Sequence, residues 1–349
     1  MRIARQFAGR GRPGFDRDQI RYASAVRYLV SACLLFVFAT AEAARIDESR
    51  PLMGTLVQVS VEGHDEASLR EAVGQAFAEM ARLSSLMSHY EPSSVVSEIS
   101  RSAGLHPVGV PRELMEVLRL GEEVSRRTGG AFDMTIGALS GWRFRADDPA
   151  MPSPAQIERD RALVDYRRLV LDERAGTAFL ERRGMRLDPG GIAKLYILRA
   201  GLRALEGRCE RALVNGGGDV AISTAPGTAP WRVGVRDPRA PETLLGAIDV
   251  SGGFVASSGD YERYFVRDGV RYHHILDPRT GRPSQGARGV TLVSARLEDV
   301  DGYGVAIMVR GVGEAERLVR ERSGLDALVV MEDGRLWMSP GMRARLGIR

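Results

Sequence analysis

The stretch 257–283, SSGDYERYFVRDGVRYHHILDPRTGRP, decides how the chain is read. Residues 261–267 are rich in aromatic and β-branched side chains, Asp268-Gly269 is a two-residue turn signal, and 270–275 resumes a strand, which predicts a β-hairpin. The second strand runs through His273-His274-Ile275-Leu276-Asp277-Pro278 into a polar turn at Arg279-Thr280-Gly281. Successive strand residues face opposite sides, so only one of the two histidines can face a given site. Such a strand delivers a titratable imidazole to the rim of a sheet. A solvated edge histidine is the plain alternative, and the stretch alone leaves both open.

Outward from the hairpin, strands are expected at 212–215 and 220–223 around Gly216-Gly217-Gly218-Asp219, and at 231–235, 246–250, 254–256 and 289–294. A closing hairpin is expected at 327–331 and 336–337, about Asp333-Gly334. Residues 50–61 read as one strand with Met53-Gly54-Thr55 at its start, and 169–171 and 178–180 as two short ones. Leu69, Val73, Ala76, Phe77, Met80, Leu83 and Met87 recur at helical spacing, so 66–88 is an amphipathic helix that ends in a polar loop, Ser88-His89-Tyr90-Glu91-Pro92-Ser93. Residues 112–128 form a second helix stopped by Gly129-Gly130, with Ala131-Phe132-Asp133 in the loop after it. Residues 301–309 start a helix apolar nearly all round, and 314–322 is amphipathic. Leu139-Ser140-Gly141-Trp142 leads into a polar, proline-containing segment, to about Pro154, that is expected to be a surface excursion.

In Leu187-Asp188-Pro189-Gly190-Gly191-Ile192-Ala193-Lys194, Asp188 is expected to cap a helix that begins at Pro189 and runs to about residue 205. A Gly-Gly pair at a helix start leaves backbone N–H groups open to an anion, although the pattern is common. Lys194 is more telling. It is the only lysine in a chain whose other basic residues are arginine, and a compact ammonium does what a planar guanidinium does not.

The 349 residues make one large domain or two intimate ones, with ample apolar material for a core at 44% hydrophobic. Seven arginines precede the apolar run 29–41, LVSACLLFVFATA, and Ala41-Glu42-Ala43 fits a small-x-small cleavage site, so 1–43 reads as a signal peptide and 44–349 as the mature domain. An uncleaved membrane anchor is the second reading. Seven Arg against Asp16, Asp18 and Glu42 give the leader +4, the whole formal net charge, so the mature chain is near neutral and its charge gives no argument for nucleic acid. The leader also takes Cys33, which leaves Cys209 without a disulfide partner and more suited to packing than to chemistry. Nothing in the sequence predicts a stable oligomer.

In order, the chain carries MGT at Met53, SHYEPSS at Ser88, GGAFDMTIGAL at Gly129, LDPGGIAK at Leu187, NGGGD at Asn215, and SSGDYERYF with HHILDPRTGRP. This succession resembles the ApbE family, the FAD:protein FMN transferases, from Met53 to the C-terminal region. The resemblance implies an α+β fold with a mixed or antiparallel sheet, flanking helices and a nucleotide site in a central cleft. It implies FAD and Mg²⁺, and transfer of FMN to a Thr or Ser hydroxyl on the acceptor domain of a membrane-associated redox complex, outside the cytoplasm. On it, Met53, Tyr90, Ala131, Phe132, Asp133, Asp188, Lys194 and Ile275 fall at flavin-nucleotide contacts. Gly191, through its carbonyl, and Asp301 fall at the metal, and His274 falls at the base.

Two positions depart from the family pattern. Val305 stands where a threonine hydroxyl is usual, and valine offers a metal no oxygen; Leu195 stands where glycine usually follows the lysine. Asp299 is a substitute carboxylate if the late helix starts differently. Two other readings follow: an Mg²⁺-dependent FAD diphosphatase giving FMN and AMP, and an FAD-binding carrier or assembly factor with weak or no catalysis.

The leader yields a direct expectation. Mass spectrometry of the exported protein should find a new N-terminus close to Ala44, and recovery of intact Met1 in the cytoplasm would refute it.

Overall fold

The structure is a computed structural model that describes residues 43–145 and 147–347. The apolar run and all but the last residue of the expected cleavage site lie outside them. None of the described helices is long and apolar enough to cross a membrane.

The fold is α+β, and a central antiparallel sheet organises it. Its strands are β1 (Ala44–Leu52), β2 (Thr55–Gly63), β3 (Arg211–Gly216), β4 (Asp219–Thr224), β5 (Gly253–Gly259), β6 (Gly289–Ser294), β7 (Asp326–Val330) and β8 (Leu336–Met338). They lie side by side in chain order. Everything else is inserted between neighbours. The helices α1 (Glu66–Met87), α2 (Val95–Arg101), α3 (Arg112–Arg127), α4 (Pro154–Arg161) and α5 (Gly190–Ala204) fall between β2 and β3. The pairs α6 (Tyr303–Arg310) and α7 (Val312–Glu321) fall between β6 and β7, and α8 (Pro340–Leu346) follows β8.

From β4 to β7 the sheet is buried on both faces, and strand alternation sorts its side chains. Ala221, Phe254, Ala256, Val290, Leu292, Ala327 and Val329 enter the main core with Leu69, Met80, Ile192 and Leu198 of α1 and α5. Their neighbours Val220, Ile222, Val255, Val293, Leu328 and Val330 enter a second core, closed by the hairpin Trp231–Arg236/Leu244–Val250 and by Met342 of α8. Period-two side chains serving two cores explain why β6 is buried at every residue.

Three local expectations are corrected. Met53-Gly54-Thr55 does not start one long strand: Leu52 pairs with Thr55, and Met53 and Gly54, at φ of 53° and 71°, form the turn of a hairpin. Positive φ at both central residues is the turn whose twist suits antiparallel strands, and it is unusual to find methionine there. The late helix begins at Tyr303 rather than at 301, so Asp301 sits in the turn ahead of it. The polar segment that ends at about Pro154 is not only a surface excursion. It holds the short hairpin Arg143–Arg145/Asp148–Ala150, and its Phe144 and Met151 pack on a satellite core of Leu139, Trp142, Ile157 and Phe265.

That satellite core grips the hairpin of the opening stretch. Trp142 stacks against Phe144 and Tyr272 with centroids 5.7 and 6.0 Å apart, Phe265 stacks on Tyr272 at 5.3 Å, and Trp142 Nε1 donates to Gly281 O at 2.9 Å. Trp142→Ala is expected to lower the unfolding free energy by about 3–5 kcal/mol. Trp142→Phe, which keeps a ring and loses the N–H, should cost about 1–2 kcal/mol. Urea denaturation followed by circular dichroism measures both, and equal losses would mean that the stacking contributes nothing.

Candidate functional site

The antiparallel meander brings the Met53-Gly54 turn, the β3–β4 turn, the end of β5 and the start of β6 to one end of the sheet. The hairpin between β5 and β6 has strands Tyr264–Arg267 and Val270–His273, and Asp268 and Gly269 both have positive φ at its tip. The two histidines face opposite ways, as alternation requires. His273 is buried; its Nε2 donates to Ser284 O at 2.9 Å and its Nδ1 accepts from Ile275 N at 3.3 Å, so its neutral ring is fully used in holding the fold. His274 extends the ladder through its N–H to Arg263 O at 3.1 Å, and its Nδ1 lies 3.3 Å from the same oxygen. With Nδ1–H directed at that carbonyl, Nε2 is left as an acceptor. Burial pushes the His274 pKa down to about 3, and the Arg263 charge acts in the same direction.

Across from the hairpin lies the start of α5. Pro189, not Asp188, is the capping residue, and the first helical residue is Gly190. Asp188 stays one residue outside, where its Oδ1 accepts from Gly190 N at 2.8 Å and meets His89 Nδ1 at 3.0 Å. Burial alone would raise the Asp188 pKa; the bond and charge of His89 outweigh it and hold the carboxyl below its ordinary range. One turn into the helix, Lys194 Nζ reaches Asp219 Oδ2 at 2.7 Å. Burial opposes the ammonium, but Asp219 more than compensates and raises its pKa. Asp219 Oδ1 accepts from Ser257 N at 2.9 Å, which ties β4 to the end of β5.

Gly191 and the late helix meet at a corner. A Cβ on Gly191 would stand 3.1 Å from Phe132 Cε2 and 3.3 Å from Val305 Cγ2, so the close approach leaves little room for a side chain. Asp301, four residues before Val305, is 4% exposed, and its Oδ2 has no hydrogen-bond partner. Burial raises its pKa well above the carboxylate range, the negative Asp219 adds to this, and Arg199 and Lys194 oppose it. The alternative carboxylate is engaged elsewhere: Asp299 accepts from Ser294 Oγ at 3.3 Å and faces Arg322 at 3.5 Å.

Of the remaining expected residues Tyr90 stands exposed and the others are partly or fully buried. Tyr90 is 72% exposed, its ring lies 3.8 Å from that of His89, and its Oη accepts from Arg263 Nη1 at 2.9 Å. Met53 packs half-buried against the main core, and Ala131, Phe132 and Ile275 are buried. Asp133 turns inward and accepts from Thr135 N, Thr135 Oγ1 and Tyr166 N at 2.7–2.9 Å; burial still pushes its pKa up to about 6. Beside this loop opens a cavity of about 840 Å³, bounded by Gly130, Ala131, Tyr166, Pro278, Arg279 and Val309. None of Asp188, Lys194, His274 and Asp301 lines it.

Sequence reasoning left Asp219, His89 and Arg263 out of the site. Asp219 ends the NGGGD motif, and the lone lysine needed a carboxylate partner. His89 precedes Tyr90 in the sequence, but its bond to Asp188, like the approach of Arg263 to His274, arises only on folding.

The ApbE family model matches residues 53–329. An FAD:protein FMN transferase of Klebsiella pneumoniae (strain 342) is 33% identical over 303 residues, covering 85% of this chain and 92% of that protein. One of Treponema pallidum (strain Nichols) is 32% identical over 321 residues, covering 85% and 87%. The crystal structure of the ApbE protein of Thermotoga maritima superposes with a TM-score of 0.79 at 31% identity, covering 87% of this chain and 99% of that one.

The His274 geometry sets a pH dependence of stability. The folded pKa, about 3, lies below the ordinary 6.5 of an unfolded chain. The unfolded state therefore binds more protons between these values, and the stability from a neutral ring is complete above 6.5 and lost as pH falls toward 3. His274→Gln cannot titrate, so its urea midpoint should fall less between about pH 7.5 and about pH 5 than the wild type's. Equal falls would mean that the ring is solvated.

Proposed function

This chain belongs to the ApbE family, and from that premise we propose that its cleft runs the FAD:protein FMN transfer reaction with Mg²⁺ as the metal. A threonine or serine hydroxyl of the acceptor attacks the phosphorus of the FMN half of FAD. The new O–P ester forms as the P–O bond of the diphosphate breaks, AMP leaves, and the hydroxyl proton passes to Nε2 of His274. The ring bonds through Nδ1 and leaves Nε2 free to accept; a pKa pushed down to about 3 makes it a weaker base than an ordinary imidazole, and general bases contribute about 10²–10⁴-fold. Lys194 brings positive charge to the diphosphate from the first turn of α5.

The observation that carries this reading is Asp301: a buried carboxylate with a free oxygen, close enough to the Lys194–Asp219 pair to feel both charges. Such a group fits a cation. Among the described residues no three His, Cys, Asp or Glu side chains gather into a metal cage, so the other donors would be the Gly191 carbonyl and water, a set that hard Mg²⁺ accepts. When bound there, Mg²⁺ would neutralise charge on the phosphate oxygens. The acceptor we propose is a domain of a membrane-associated redox complex. The leader supports an exported, periplasmic protein that meets it there.

Val305 favours a second reading, FAD binding with little turnover, because it presents a methyl group at this corner. The test incubates the mature protein with FAD, Mg²⁺ and candidate acceptor domains, then separates flavinylated protein by in-gel fluorescence from free FMN plus AMP and from unchanged FAD. Flavinylated acceptor supports transfer, free FMN with AMP supports hydrolysis, and unchanged FAD at every Mg²⁺ concentration supports the carrier. Under the transfer reading, Val305→Thr should lower the Mg²⁺ concentration needed for half-maximal turnover, and Asp301→Ala should abolish metal-dependent activity. An active Asp301→Ala would move the metal elsewhere.

A further inference from the structure

We infer that Arg263 is a catalytic residue of this site, a guanidinium placed to hold the phosphate being transferred beside the imidazole that its own main chain orients. The inference rests on the FMN-transfer reading.

Arg263 has two separate attachments. Its carbonyl accepts from His274 N at 3.1 Å and faces Nδ1 at 3.3 Å, which fixes the ring. Its exposed side chain crosses to the loop after α1 and donates from Nη1 to Tyr90 Oη at 2.9 Å. Tyr90 lies against His89, and His89 bonds Asp188 at the start of α5. The guanidinium therefore stands exposed between the base and the start of α5, where Asp188 already takes the N–H of Gly190. After burial, its charge is the next influence keeping His274 neutral, and the same charge registers at Asp188 and Lys194.

Lys194 and Arg263 differ in what holds them. Lys194 is compensated by Asp219 at 2.7 Å. Arg263 is bonded to a neutral phenol. Exchanging that phenol for phosphate oxygens replaces a neutral contact with a charge-assisted one, which the planar fork of arginine can make in bidentate form. It also frees the exposed Tyr90 ring to meet a flavin. Charge spreads over the phosphate oxygens during displacement, and a preplaced donor there acts on the rate more than on binding.

The test uses the full chain with FAD, Mg²⁺ and an acceptor domain, comparing wild type, Arg263→Ala and Arg263→Lys. Both variants keep the main-chain carbonyl, so the His274 contact survives. Arg263→Ala should lower kcat for transfer by about 10²–10³-fold, while FAD affinity, read by fluorescence titration, changes by less than about tenfold. Arg263→Lys should recover only part of the loss. Added guanidinium ion should restore part of the Arg263→Ala rate and leave the wild type unchanged, which a merely structural arginine would not do. A wild-type kcat in Arg263→Ala, or a loss without guanidinium rescue, overturns the inference about Arg263. No flavinylated acceptor from the wild type overturns both it and the transfer reading.

Discussion

Lys194 and Asp219 meet at 2.7 Å where the first turn of α5 crosses the β3–β4 turn, and the site is built around that contact. It joins the inserted helical layer to the sheet at the end where the chemistry lies. The second oxygen of Asp219 takes the N–H of Ser257, so one carboxylate sets helix, turn and neighbouring strand relative to one another. Largely buried ion pairs are expensive to desolvate and are seldom the cheapest way to hold two elements together. Here the pair also leaves Asp301 in a field of mixed sign, with one oxygen unused.

Sheet order explains how so many separate motifs reach one place. Because the strands are neighbours in chain order, their turns alternate strictly between the two ends. Met53, Asp219, the end of β5 and the long insertion that carries His274 all share one parity, and so share one end. A motif needs only the right strand terminus to join the site.

Much of this was legible because regular periodicity and a few special residues carry it. The long helix, the Asp-Gly hairpin, the histidine alternation and the lone lysine each have a local signature. What escaped notice depends on tertiary partners. β1, ARIDESRPL, is an exposed edge strand whose charged composition resembles solvent-facing coil. The Met53 turn lacks the Asn-Gly or Asp-Gly signal that marked the other hairpin, and only pairing of Leu52 with Thr55 reveals it. Trp142 and Phe144 alternate as strand residues do, yet their polar, proline-containing neighbours hid them until Tyr272 and Phe265 closed the stack. Asp188 illustrates a smaller failure. Its capping chemistry was foreseen, and the helix start slipped by one residue because Pro189 holds the capping position itself.

The placement of the helical insertion has a consequence for how the chain reaches its native state. β1 and β2 close early through a two-residue turn, but the next partner of β2 is β3, and residues 64–210 intervene. A ribosome delivers the N-terminus first. For that whole interval β2 carries an unpaired edge, although α1, which packs against β1 and β2, follows it directly. Loop-closure entropy grows slowly with length, so the delay does little to final stability; it acts on the rate and on exposure during assembly. The nascent N-terminal hairpin is thus a vulnerable intermediate. The Arg45, Asp47, Glu48 and Arg50 side chains of β1 give its outer edge the charge that discourages pairing with a second copy.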